Sequence, residues 1–336
     1  MNIKSLLIGS AAALVAVSGA QAADAIVAAE PEPLEYVRVC DAFGAGFFYI
    51  PGTETCLRVG GYARVELGFN SEGVNLAGGD NRLNTLARGH VFFDARNDTE
   101  YGTLRSFISF QGNAVNNDNT QVEVDEAYID IAGLRVGYFM NWWDDGFVGE
   151  TDSIGFLTEG TAARYWYDGG QFGAGLAVEE LDVYNTIDTD HVGLSGKIQA
   201  AFGPATFDVI GSYDTSFEEG AVQARISAEV GPGTFQAGIA YFSGVSNYSG
   251  ALGDEYEWTA VVAYEAKVTD KFTVTPAFQY AWDRFGGGVL PAGGDDWKVG
   301  VTAGYQITEG LSTLATINYQ DEPDAVTGFL RLQRDF

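Results

Sequence analysis

The stretch Leu57–Phe69, LRVGGYARVELGF, alternates residue by residue. Leu57, Val59, Gly61, Ala63, Val65, Leu67 and Phe69 fall on one face, and Arg58, Gly60, Tyr62, Arg64, Glu66 and Gly68 on the other. A helix would scatter both sets around its circumference, whereas a strand separates them cleanly. Outward from this stretch the same period recurs at 190–202, 220–230, 296–306 and 310–320. In all, about sixteen segments read as strands: 57–69, 86–97, 101–111, 122–132, 134–140, 161–168, 171–180, 190–202, 205–215, 220–230, 233–243, 255–266, 271–282, 296–306, 310–320 and 326–336. Most approach the ~9–11 residues that a tilted strand needs to cross a bilayer; 134–140 and 161–168 are short for that purpose.

The connections alternate in length. Short ones fall at Asn97–Tyr101, Gly133, Gly203-Pro204, Gly231-Pro232 and Ile307–Gly310; long ones fall at 70–85, 112–121, 141–160, 181–189, 244–254 and 283–295. An antiparallel up-and-down barrel with tight turns on one rim has this rhythm. A soluble sandwich has no reason to sort loops by parity. Aromatic residues collect at strand ends on the apolar face. Phe202, Phe207, Phe235, Tyr264, Phe272, Tyr305 and the terminal Phe336 mark the short-turn rim; Phe69, Tyr213, Tyr241, Trp258, Tyr280, Trp297 and Tyr319 mark the other. Two aromatic belts around an aliphatic band suit a bilayer. The fold class expected is therefore all-β, a transmembrane barrel.

Composition narrows the functions. Among 336 residues, 18 Lys+Arg stand against 46 Asp+Glu, a net charge of −28, which disfavours nucleic acid as a partner. Two Cys and two His leave few ligands for a metal centre. An enzyme would need a base, and His90 and His191 read better as polar lumen residues than as parts of a catalytic set. No cofactor is implied.

Residues 1–22 have the form of a signal peptide: Lys4, an apolar run from Leu6 to Val17, and Ala20-Gln21-Ala22 as cleavage site. An exported chain meets oxidising conditions, so Cys40 and Cys56 are expected to pair. The loop closed is worth roughly 3 kcal/mol in the chain-entropy model; two buried free thiols are the alternative. Residues 23–56 then read as a periplasmic lead and a disulfide-pinned hairpin turning at Pro51-Gly52, ahead of a barrel over 57–336.

The run from Glu35 to Tyr62 (EYVRVCDAFGAGFFYIPGTETCLRVGGY) strongly resembles the N-terminal signature of alphaproteobacterial outer-membrane porins of the Brucella/Rhizobium type. Thr99–Arg105, Glu126–Ile129 and Gly133–Gly137 look like that family too. The resemblance implies a sixteen-stranded trimeric barrel, a general diffusion channel, and a third loop folded into the pore. Phe336 would be the C-terminal assembly signal. Arg334 departs from the pattern, an outward-facing arginine expected to reach toward the periplasmic rim.

Within such a barrel Arg58, Arg64, Arg88, Arg96, Arg105 and Arg135 take the inward parity, with Arg64, Arg88 and Arg105 expected nearest mid-height. Asp144, Asp145, Glu150, Asp152 and Glu159 lie on the expected constriction loop, 141–160. If the loop folds inward, acids facing an arginine wall create a transverse field and a size limit. The competing role of the arginines is pairing with Glu66, Asp94 or Asp130. Further acids, among them Asp182, Asp188, Asp190, Asp254 and Asp295, sit in other long loops and predict a modest cation preference. Gly61, Ala63, Ala87, Gly89 and Ala95 are small outward residues compatible with a homotrimer. The expected partners are outer-membrane lipid and lipopolysaccharide, further copies of the chain, and small hydrophilic solutes and ions. An adhesive or structural barrel with a closed lumen is the second reading.

Overall fold

The computed structural model describes residues 38–72, 82–116, 118–119, 122–181, 192–286 and 293–336. The expected signal peptide 1–22, the lead 23–36, His191, Asp182, Asp188 and Asp190 lie outside the described residues. Sixteen long strands follow the sequence pattern: β1 Cys56–Asn70, β2 Leu83–Thr99, β3 Gly102–Val115, β4 Glu123–Ile131, β5 Leu134–Met140, β6 Glu159–Asp168, β7 Phe172–Glu180 and β8 Val192–Phe202. The second half comprises β9 Ala205–Asp214, β10 Glu219–Val230, β11 Gly233–Phe242, β12 Tyr256–Thr269, β13 Phe272–Arg284, β14 Asp295–Thr308, β15 Leu311–Gln320 and β16 Ala325–Asp335. Each pairs antiparallel with the next. β16 returns to β1, from Thr327 opposite Asn70 to Asp335 opposite Tyr62. Beyond it, Phe336 and Gly61 exchange backbone hydrogen bonds of 3.0 and 3.1 Å. The sheet is closed, which satisfies the backbone groups that an edge strand would leave open.

Burial is inverted relative to a soluble protein. Leu176, Leu194, Ile198, Val209, Ile317 and Leu330 are exposed on the outer face, while Asp94, Ser109, Asp208, Gln279, Thr302 and Asn318 are buried inside. Period two fixes this, since a polar lumen and an apolar lipid face alternate along each strand. Tight turns close the short rim. Ala132 and Gly133 both have positive φ, 50° and 87°, as a two-residue turn matched to strand twist requires. The rhythm of the connections is looser than expected on the opposite rim, where 215–218 and 321–324 are short. β5 is short, as read from the sequence, because the chain leaves the wall at Asn141.

Aromatic pairs form the belts. Tyr241 and Trp258 lie 4.7 Å apart, Trp258 stacks on Trp282 at 5.9 Å, and Trp297 meets Tyr319 at 5.3 Å. Phe202 and Phe207 meet edge-on at 6.0 Å near the short turns. Arg334 reaches the Gly310 carbonyl in a short turn, 3.0 Å away, so its charge leaves the apolar band for the rim.

Cys40 and Cys56 are disulfide-bonded, with Cα atoms 5.9 Å apart; the free-thiol alternative is excluded. The bond packs with Phe47 in a small buried cluster. The two-residue strand Phe48–Tyr49 pairs with Leu57 and Cys56 of β1. Because β2 occupies the other edge of β1, this hairpin covers the edge below the point where Phe336 ends.

Candidate solute pathway

Loop 141–158 leaves β5 and turns into the barrel. Asn141 pinches its neck: the side chain accepts from the Trp143 amide at 2.8 Å and donates to the Leu157 carbonyl at 2.9 Å. From there the loop is fastened along the inner wall. Trp143 Nε1 donates to Ser212 of β9 at 2.9 Å, and the Val148 amide to Gln236 of β11 at 2.8 Å. The amides of Glu150 and Ser153 donate to Thr302 of β14 at 3.0 Å and Gln279 of β13 at 2.8 Å. Thr151 bonds Asn318 of β15 at 2.9 Å. Phe147 packs on bare backbone at Gly238, where a Cβ would stand 2.5 Å from the ring. The loop therefore lines the wall opposite β1–β5.

Its acids do not all face the arginines. Asp145 pairs with Lys197 of β8 and Arg225 of β10, and Glu150 pairs with Arg331 of β16 at 2.9 Å. Asp152 is held by the Phe147 amide at 3.4 Å; burial pushes its carboxyl up. Glu159 opens β6 opposite Met140. Asp144 is exposed and has no ion pair among the described residues. Partial burial, with the Asp145 and Asp125 carboxylates nearby, raises its pKa.

The arginines fall into two tiers. In the lower, the carboxylate of Asp94, fully buried, accepts from Arg58 at 3.4 Å, Arg96 at 2.7 Å and Arg105 at 2.9 Å. Asp130 binds Arg135 at 2.7 Å and Arg105 at 3.5 Å. Arg105 lies near the Thr99–Gly102 turn, below the mid-height expected for it. The upper tier holds Arg64, bonded to Gln333 at 2.7 Å, and Arg88, bonded to Asn113 at 2.7 Å. Pairing with Asp94 and Asp130 thus satisfies much of the polar wall. Beneath the guanidinium groups runs an aromatic ladder: Tyr62, His90, Phe92, Phe107, Tyr128 and Phe139, with neighbouring centroids 4.8 to 6.3 Å apart. Arg135 lies 3.9 Å above Tyr128 and Arg105 4.8 Å above Phe107, contacts that hold the cations flat against the wall.

A second loop, 243–255, also folds inward. Ser246, Asn247, Tyr248, Ser249, Ala251 and Leu252 are buried. Ala251 bridges Ile154, the Gly155 amide donates to Gly250 at 2.8 Å, and the Leu157 amide to Asn247 at 3.2 Å. Tyr248 donates to Glu179 at 2.5 Å. This loop braces the first from the long-loop side.

A closed barrel with a polar interior and a loop bound across it carries a lumen, and comparison identifies its kind. Residues 24–330 match the family model described as the porin subfamily. The chain belongs to that family. This porin is 44% identical to a putative outer membrane protein y4fJ of Sinorhizobium fredii, over 100% of this chain and 99% of the relative. It is 33% identical to porin Omp2b of Brucella neotomae, over 100% of both. The fold resembles the trimer form of OmpT of Vibrio cholerae, with TM-score 0.64 at 13% identity, covering 84% of this chain and 100% of that one. The porin is an outer-membrane channel protein of a Gram-negative envelope.

Sequence reading of the porin lumen missed Lys197, Arg225 and Arg331 as partners of the loop acids, although all three take the inward parity. It also missed Arg164 and Trp166, inward on β6, and the inward fold of 243–255. Parity could have found the first five; loop 243–255 carries no comparable signal.

Proposed function

We propose that the porin passes small hydrophilic solutes and ions by passive diffusion, through a waist between the arginine tiers of β1–β5 and loop 141–158. The fastening of that loop to five strands of the opposite wall supports this most directly. Size selection follows from the space the loop leaves; charge selection follows from Arg58, Arg64, Arg88, Arg96, Arg105 and Arg135 set against the acids Asp144, Asp145, Glu150, Asp152 and Glu159. Since Asp145 and Glu150 are neutralised by bases of their own wall, Asp144 carries most of the loop's share. The acidic excess at the mouth gives a modest cation preference. No covalent chemistry belongs to this reading. Reversal potential in a KCl gradient across a planar bilayer is the test: a cation-selective sign is expected, and clear anion preference refutes the assignment. An inserted barrel without conductance refutes the channel.

The mature porin, cleaved after Ala22, assembles as a homotrimer in lipid and lipopolysaccharide. The trimeric neighbour supports this, as do Ala63 and Gly89, which face each other across β1 and β2. Ala63→Trp is expected to convert trimers to monomers in native mass measurement, and trimers that persist place the interface elsewhere.

A further inference from the structure

Beneath the root of loop 141–158, toward the short turns, lies a cavity of about 620 Å³. Six charged groups line it: Asp130, Arg135, Asp144, Asp145, Arg164 and Lys197. Four are paired among themselves, Arg135 with Asp130 and Lys197 with Asp145. Arg164 is not. It stands directly opposite Arg135 across β5 and β6, a like-charge pairing that costs stability, and among the described residues it makes one hydrogen bond, to the Met140 carbonyl at 3.5 Å. Its guanidinium rests over Phe139 at 4.7 Å and Trp142 at 5.4 Å. Trp142 and Trp166 meet at 6.2 Å on the same lining. β7 leaves room for both indoles: a Cβ at Gly175 would stand 2.8 Å from Trp166 and 3.0 Å from Trp142. Trp142 is nearly buried in the apolar cluster that seats loop 141–158, and Trp166 packs against it part-exposed, so the open edge of that cluster lies beside a guanidinium that has no ion pair among the described residues. A solute with a ring and a negative charge complements both.

We propose that this cavity is a binding subsite for a ring-bearing monocarboxylate, its carboxylate on Arg164 and its ring against Trp142 and Trp166. It rests on the lumen being the solute path proposed above. A second negative charge on the ligand would meet Asp130, Asp144 or Asp145, so the site selects monoanions over dianions. The carboxylate supplies the ion pair that Arg164 lacks among the described residues, where Asp145, Asp130 and Glu179 act on it only at longer range, and the guanidinium fork matches it in two hydrogen bonds. The ring displaces water from the part-exposed Trp166, beside the nearly buried Trp142.

The test uses phenylacetate as ligand, with acetate, benzyl alcohol and phenylmalonate as controls that remove the ring, remove the charge and double the charge. Binding to the detergent-solubilised protein is read by calorimetry, and block of single-channel current is read in a bilayer. Phenylacetate is expected to bind about tenfold or more tighter than each control. Arg164→Gln loses about tenfold for phenylacetate and leaves benzyl alcohol unchanged; Trp166→Leu weakens both. Heat-modifiable mobility verifies that each variant is a folded barrel. Acetate or phenylmalonate binding as well as phenylacetate, or Arg164→Gln and Trp166→Leu both binding like the parent protein, overturns the site. Calorimetric binding in a barrel that does not conduct refutes the channel and leaves the site standing; conduction without binding does the reverse.

Discussion

Asp94 is the residue on which the lower arginine tier depends. Its carboxylate, fully buried, accepts from three guanidinium groups. Removing one member of a buried ionic cluster leaves the others uncompensated, so Asp94→Asn is expected to destabilise the barrel by about 3 kcal/mol, read as a lower urea midpoint in detergent. Asp130 is a quarter exposed, and Asp130→Asn is expected to cost less because water screens the remaining charges. Asp152 works in the opposite sense. Its raised pKa means that the folded state prefers the proton, so ionisation weakens the fold. Stability from this group is fully present only below the ordinary, unfolded Asp pKa, and it is lost as pH rises through the raised folded value. Asp152→Asn should therefore stabilise the barrel at neutral pH, with the gain shrinking in acid. A gain that does not change with pH contradicts this.

At the scale of elements, the strands were legible and the loops only partly so. Period two runs along the strands because lipid and lumen each demand one parity, broken only locally at register shifts such as that between Ser109 and Phe110 opposite β4, and β5 spans the seven residues read for it. Side-chain parity says which wall a residue faces, not how high it sits, which is why the two arginine tiers and the partners of Asp145 and Glu150 did not emerge. The burial of 243–255 depends on backbone contacts with a loop distant in sequence, through residues such as Asn247 and Gly250 that carry no pattern. One glycine makes room for the apolar anchor of loop 141–158, Phe147. Gly238→Val would collide with Phe147 and is expected to unseat the loop, giving larger and noisier single-channel steps. Gly211, where a Cβ meets nothing within 4 Å, serves as the control, and Gly211→Ala should leave the current unchanged.

For the whole molecule, closure rests on the meeting of its first and last long strands. Deleting Phe336 removes both backbone hydrogen bonds to Gly61 and an outward ring at the rim. The expected outcome is a lower yield of heat-modifiable barrel on refolding, measured by gel mobility; full yield would show that the strand pairs above it suffice.

The same seam orders events in time. β1 is synthesised and exported early, yet the strand that completes it is the last to emerge. Until then one side of β1 offers a row of free amides and carbonyls to any other chain in the periplasm, and among the described residues the small cystine hairpin shields its lower end. Pairings between remote segments form slowly, and an uncovered strand invites association with the wrong partner. The barrel can therefore close only after β16, the last of its sixteen strands in sequence, has crossed to the periplasm and met β1.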